Sequence, residues 1–131
     1  MTPIKITSFG YGHGNPPRAT ITIDIRNILQ DPHTTTDLRG LTGGHAPVIR
    51  HVLATPGTGA IIDNVTALAV SLADGTDQPI SIAVGCIGGR QRSVVIADQL
   101  SSRLDAEGLP VEVTHLDVER PMRRVRSGHS V

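Results

Sequence analysis

The chain contains almost no aromatic residues: one Phe, one Tyr and no Trp in 131 residues. A core without large rings must be built from Val, Ile, Leu and Ala, which favours an α/β layered fold over an aromatic-rich sandwich. The length is that of one domain with a core of its own. The shortage of aromatic side chains also argues against the reading of single-stranded bases by stacking.

Cysteine is equally scarce, because Cys86 is the only one. An internal disulfide is therefore excluded, and a reducing compartment is indicated. The sequence contains neither an apolar run of membrane length nor a secretory signal, so we expect a cytoplasmic protein with no membrane partner. The histidines do not share a metal-ligand spacing with Cys86, and we expect neither a metal nor a cofactor.

The chain also has no net charge, since 12 basic residues balance 12 acidic ones. The distribution is uneven, however, because four arginines lie in the last dozen residues beside a single acid, Glu119. These arginines are candidates for contact with an RNA backbone, and are as often part of a solvated terminus. They are Arg120, Arg123, Arg124 and Arg126.

The pattern of apolar residues predicts strands alternating with helices. We expect strands at Ile4–Ser8, Ala19–Ile25, Ile80–Gly85 and Leu109–Leu116, and helices at Pro47–Ala54, Thr58–Ala73 and Ser93–Glu107, with Thr58 as an N-cap. The fold class is α/β: a layered domain with a mostly parallel central sheet of about four strands and flanking helices. Its last strand–helix–strand unit is expected to be a right-handed crossover between parallel strands. We expect residues 1–120 to form one domain and residues 121–131 a basic, flexible tail.

A glycine-rich loop joins the third predicted strand to the last predicted helix. The loop contains Cys86, Gly88 and Gly89, and it ends at Arg92 and Ser93. A strand that breaks into such a loop and feeds a helix aims backbone N–H groups and the positive end of the helix dipole at one point. An arginine at this position adds a bidentate clamp, so the loop is predicted to bind an anion, most simply a phosphate.

The spacing of Cys86 and Arg92, C-x5-R, also resembles the signature loop of cysteine-dependent phosphatases, in which the cysteine attacks phosphorus. In that alternative Cys86 is the nucleophile, and Asp117 or Asp24 could serve as the general acid. Gly85 stands where those phosphatases usually carry His, which argues against this function. A third interpretation makes Cys86 a small buried residue at the end of a strand.

Further motifs resemble, in order along the chain, the C-terminal domain of the RapZ family of RNase adapter proteins. The segments that match are Gly85–Gly89 with Arg92–Ser93, Ser8–Tyr11 with Gly14, Asp24–Arg26, Asp31–His33, Leu38–Gly43 and His115–Arg120. They extend from residue 4 to about residue 120. The P-loop of that family's ATPase domain is not found in this sequence, so we expect a free-standing homologue of the second domain alone.

The resemblance implies a non-catalytic sensor that binds a phosphosugar such as glucosamine-6-phosphate, contributes to binding of a regulatory RNA or a protein partner, and forms homo-oligomers. Ile87 stands where the family has Thr, and Gln91 stands where it has His, which leaves the sugar specificity open. The ligand-binding residues implied are Asp24, Arg26, His33, Cys86, Ile87, Gly88, Gly89, Arg92, Ser93 and His115. If the strands are parallel, most of these residues lie at one edge of the sheet.

Overall fold

The computed structural model describes residues 2–28, 38 and 40–120. Within them the four strands are β1 (Ile4–Gly10), β2 (Ile21–Asp24), β3 (Ser81–Cys86) and β4 (Val111–His115), and the three helices are α1 (Ala46–Ala54), α2 (Thr58–Gly75) and α3 (Arg92–Ala106). A short 3-10 turn, Tyr11–His13, follows β1. The predicted α/β fold with four strands is confirmed, and most boundaries differ from the predicted ones by one or two residues.

The four strands form one parallel sheet in the order β2-β3-β1-β4. The predicted crossover from β3 to β4 does join parallel strands, but β1 lies between them. The connections from β2 to β3 and from β3 to β4 run in the same direction across the sheet. Right-handed crossovers therefore place α1, α2 and α3 on the same face, and the connection from β1 to β2, which has no α-helix, on the other.

The core lies between this helical layer and one face of the sheet. Ile6 of β1 pairs with Ile82 of β3 and with Val113 of β4, so the three side chains lie on the core face. The opposite face carries Lys5 and Glu112, which are exposed. Apolar and mostly β-branched side chains fill the core face of the sheet, whereas the central strand β3 is buried on both faces.

The predicted N-cap of α2 is wrong. Gly57, in a left-handed conformation at φ 99°, precedes the helix as its N-cap, and Thr58 is buried in the first turn. The Thr58 hydroxyl donates to the carbonyl oxygen of Val52 at 2.8 Å, so it joins α1 to α2. None of the helices in the described part of the chain is long and apolar enough to cross a membrane.

Candidate anion-binding site

The ends of all four strands meet at one edge, because the strands are parallel. Cys86 ends β3, Gly10 ends β1, Asp24 ends β2 and His115 ends β4. The predicted convergence of these motifs at the carboxyl edge of the sheet is confirmed. Such an edge is where open α/β sheets bind their ligands.

The glycine-rich loop (residues 86–91, called the anion loop below) packs against the end of β1 backbone to backbone. A Cβ added at Gly10 would lie 2.5 Å from the carbonyl carbon of Gly88, and one added at Gly89 would lie 2.5 Å from the Gly10 nitrogen. Gly89 also has a φ of 72°, in the left-handed region. Two glycines are therefore required here, one on each side of a close approach that admits no side chain.

Helix α3 begins directly after this loop, and residues 91–94 at its start are buried. Gln91 is the N-cap residue, and its side chain makes no hydrogen bond to the N–H groups of the first turn. These N–H groups have no partner within the helix, and the helix dipole makes them the positive end. The order of strand, glycine-rich loop and helix is therefore as predicted, and the binding of an oxyanion there stays a prediction.

Cys86 is buried beneath the loop. Its Sγ accepts a hydrogen bond from the Gly89 N–H at 3.2 Å and lies 3.1 Å from Ser93 Oγ. The side chain is 3% exposed. The sulfur thus helps to hold the curved backbone of the loop in place, as the interpretation of Cys86 as a buried lining residue expects.

Arg92 is only 2% exposed, and its Nη1 donates to the carbonyl oxygens of Ile25 and Arg26, both at 3.2 Å. This residue on α3 therefore fixes the chain that leaves β2. Its positive charge is buried, and these two contacts are structural; the anion clamp suggested by the sequence stays a prediction.

Arg26 is the more accessible of the two arginines, with its side chain 35% exposed. Its Nε and Nη2 donate to the two carboxylate oxygens of Asp24 at 3.0 and 2.6 Å, and its backbone N–H donates to Asp24 Oδ1 at 3.0 Å. The guanidinium carbon lies 3.7 Å from the centre of the Tyr11 ring, a cation–π contact. No local pattern in the sequence indicated a role for Tyr11, because its partner Arg26 is 15 residues away.

The Asp24–Arg26 pair makes the stability of the domain depend on pH in the acidic range. The Arg26 guanidinium holds the pKa of Asp24 below its ordinary value, chiefly through the side-chain hydrogen bonds. The contribution of the pair to stability is therefore present above the unfolded pKa of about 3.9 and is lost as the pH falls through the folded value. Because both side chains are partly solvated, this contribution should not exceed about 1 kcal/mol.

We expect the difference in free energy of unfolding between wild type and Asp24→Asn to be constant from pH 7 to about pH 5 and to shrink below about pH 4. Urea unfolding followed by circular dichroism at several pH values measures this difference. A difference that is the same at pH 3 as at pH 7 would contradict the assignment.

Asp117 and His115 both make contacts that join elements of the fold. Asp117 is 5% exposed; its Oδ2 accepts the Gly10 N–H at 2.8 Å, and its Oδ1 pairs with Arg120 Nε at 3.1 Å. His115 lies on the helical face of the sheet, with Nδ1 2.6 Å from Ser8 Oγ and Nε2 2.9 Å from Asp98 Oδ1. Asp117 thus joins the ends of β4 and β1, and His115 joins β4 to α3.

Gln91 has a structural role that the sequence did not reveal. Its Nε2 donates to the carbonyl oxygens of Leu38 and Leu41, at 2.9 and 3.0 Å, and Gly43 donates to the carbonyl oxygen of Arg90 at 2.7 Å. The amide therefore attaches the described part of the 38–43 segment to the anion loop. This segment contains the Leu38–Gly43 motif, one of those that carry the family resemblance.

Several predicted residues lie outside the described residues: His33 and the arginines 123, 124 and 126. A cavity of about 570 Å³ opens at the opposite, amino edge of the sheet, lined by residues such as Pro3, Ile4, Asp77 and Leu109. It contains none of the predicted site residues and no basic side chain. It therefore gives no support to phosphate binding at that edge.

The fold and the carboxyl edge define a parallel α/β domain with a candidate anion-binding loop between a strand and a helix. The family model described as the RapZ C-terminal domain matches residues 2–119, and the chain therefore belongs to the RapZ C-terminal domain family. The resemblance inferred from the motifs is confirmed.

Three relatives are each named a nucleotide-binding protein. The relative from Thermobifida fusca is 40% identical over 88% of this chain and 40% of its own length. The relative from Streptomyces griseus is 37% identical over 88% of this chain and 36% of its own length. The relative from Mycolicibacterium smegmatis is 37% identical over 91% of this chain and 42% of its own length. The chain thus spans about two fifths of the length of these relatives.

Proposed function

We propose that this domain binds a phosphorylated metabolite at the anion loop without turning it over. The observation that carries the proposal is that α3 begins, without a side-chain cap, at a glycine-rich loop that lies beside two arginines. Arg92 supplies buried charge, and Arg26 supplies exposed donors. Family membership adds that a hexosamine phosphate such as glucosamine-6-phosphate is the first ligand to test, and the names of the relatives add nucleotides.

The contacts of the two candidate acids support binding rather than hydrolysis. Asp117 accepts the Gly10 N–H and pairs with Arg120, so it is engaged on both oxygens. Asp24 pairs with Arg26, which lowers its pKa and disfavours the protonated form that a general acid requires. Cys86 is buried and holds the loop.

A ligand screen by thermal unfolding tests this proposal. Circular dichroism is a suitable signal because the chain has no Trp. A ligand at a hundred times its Kd should stabilise by about 2.7 kcal/mol, which raises Tm by roughly 10 °C for a chain of this size. The screen compares glucosamine-6-phosphate, glucosamine, inorganic phosphate and AMP, and only compounds that carry phosphate should raise Tm.

Arg26→Met is the informative variant, since Arg26 is partly exposed. Arg103→Met is its matched control, because Arg103 forms a similar exposed pair with Asp63 between α2 and α3. We expect Arg26→Met to reduce the shift and Arg103→Met to preserve it. A shift that is equal in both variants would count against the site. Hydrolysis of an aryl phosphate that is lost in Cys86→Ser would instead favour the phosphatase alternative.

We also propose that ligand binding regulates an interaction with RNA, in which the arginines at positions 120, 123, 124 and 126 contact the RNA backbone. Asp117 supports this connection, because it contacts the end of β1 beside Gly89 and also pairs with Arg120. Binding by arginines alone should be weak and should fall steeply with salt. An RNA affinity that does not change between 50 and about 200 mM salt would argue against this output.

A further inference from the structure

The Tyr11 ring contacts both Arg26 and Gly85, the residue that precedes the anion loop. A Cβ added at Gly85 would lie 2.5 Å from Tyr11 Cε2, so the ring rests on the strand that leads into the loop. The ring also meets Phe9 edge-on, with centroids 4.7 Å apart. The next residue, Gly12, donates its N–H to the carbonyl oxygen of Ile87 in the loop at 2.9 Å. The ring is therefore held in place by β3, by Phe9 and by the loop.

The guanidinium of Arg26 is held on two sides. Its face lies on the Tyr11 ring at 3.7 Å, and its Nε and Nη2 point to the Asp24 carboxylate. Arg26 Nη1 donates no hydrogen bond to any of the described residues, and the Arg26 side chain is partly exposed. An arginine has five N–H donors in a fixed planar arrangement, so holding one side of it also orients the other.

We propose that Tyr11 is a positioning residue of the anion site: with Asp24 it fixes Arg26 so that the remaining donors of the guanidinium meet a phosphate held by the loop. This inference rests on the proposed function. Its physical basis is pre-organisation, because an arginine that is already ordered loses less side-chain entropy when the anion arrives. The ring contributes through its face, so the hydroxyl group is not needed.

A purely packing role for Tyr11 makes a different prediction. If the ring only fills the space above Gly85, its removal disturbs the anion loop whatever residue occupies position 26. If it acts through Arg26, its removal matters only while the guanidinium is present. A double-mutant cycle separates the two roles, because it measures the coupling between the two side chains rather than their separate effects.

The experiment measures the Kd of glucosamine-6-phosphate and of inorganic phosphate by calorimetry for wild type, Tyr11→Leu, Arg26→Met and the double variant. Arg26→Met should weaken binding about tenfold, because a charge-assisted hydrogen bond is lost. Tyr11→Leu should weaken it about three- to fivefold, the range of a cation–π contact. The double variant should bind like Arg26→Met, and Tyr11→Phe should bind within about twofold of wild type. Tyr11→Met replaces Tyr11→Leu in the cycle if the latter does not fold.

Each failure has its own signature. The positioning role is overturned, while the anion site stands, if wild type binds and Tyr11→Leu binds equally well. The same conclusion follows if Tyr11→Leu weakens binding to the same extent in the wild-type and Arg26→Met backgrounds. A loss of affinity in Tyr11→Phe as large as in Tyr11→Leu would assign the effect to the hydroxyl group and would also overturn it. If wild type binds neither probe, the proposed function fails, and the positioning role fails with it.

Discussion

Replacing Gly89 with alanine should destabilise the domain by about 3 kcal/mol and abolish phosphate binding. Two costs combine at this position. A residue other than glycine is strained at a φ of 72°, and its Cβ would lie 2.5 Å from the Gly10 nitrogen and 2.8 Å from Asp117 Cβ. Since the nearest atom is backbone, relief requires the loop to move away from β1. Urea unfolding and the ligand-induced Tm shift measure the two effects.

Gly108→Ala is the matched control for this substitution. Gly108 has a similar φ of 83°, but a Cβ there would meet nothing within 4 Å. Only the left-handed strain remains, so the cost should be about 1 kcal/mol, with ligand binding unchanged. If the two alanine variants lost equal stability, the close approach of the loop to β1 would be refuted.

Arg92→Met should have the second large effect, with about 3 kcal/mol lost from the free energy of unfolding. The carbonyl oxygens of Ile25 and Arg26 lose their donor in the interior, and the end of β2 loses its attachment to α3. The buried positive charge beneath the loop disappears as well, so the affinity for phosphate should fall by at least about tenfold. Binding is measured at a temperature where circular dichroism shows the variant to be folded.

Arg92→Lys separates the two contributions of this residue. Both carbonyl oxygens accept from the single Nη1 group of the guanidinium, and an ammonium keeps the charge without that fixed planar group. We expect its stability to lie between those of wild type and Arg92→Met. A folded Arg92→Met variant that binds glucosamine-6-phosphate as tightly as wild type would exclude Arg92 from the site.

Much of the fold could be predicted from the sequence because its apolar residues follow simple strand and helix patterns. The periodicity of β1 places Ile4 and Ile6 on one face, and the apolar residues of α3 recur at helical spacing. The residue types of the anion loop likewise indicate its chemistry. Local pattern is sufficient for these inferences, because strand, turn and helix propensities act over a few residues.

The contacts within the site could not be predicted in the same way. The sequence indicated Arg92 as a ligand clamp, but the order β2-β3-β1-β4 brings it beside the chain that follows β2, where it binds two carbonyl oxygens. Tyr11 meets Arg26 because the connection from β1 crosses the sheet on the face opposite the helices. Such pairings follow from strand order, which no local pattern encodes.

The sequence by itself determined that this is a parallel α/β domain with a glycine-rich turn between a buried strand and a helix. It also predicted that the candidate anion-binding residues follow the ends of strands. Only the tertiary structure decided which of these residues hold the loop and which remain accessible. Burial makes that division: Cys86, Arg92 and Asp117 are enclosed and bind other parts of the chain, while Arg26 keeps donors at the surface.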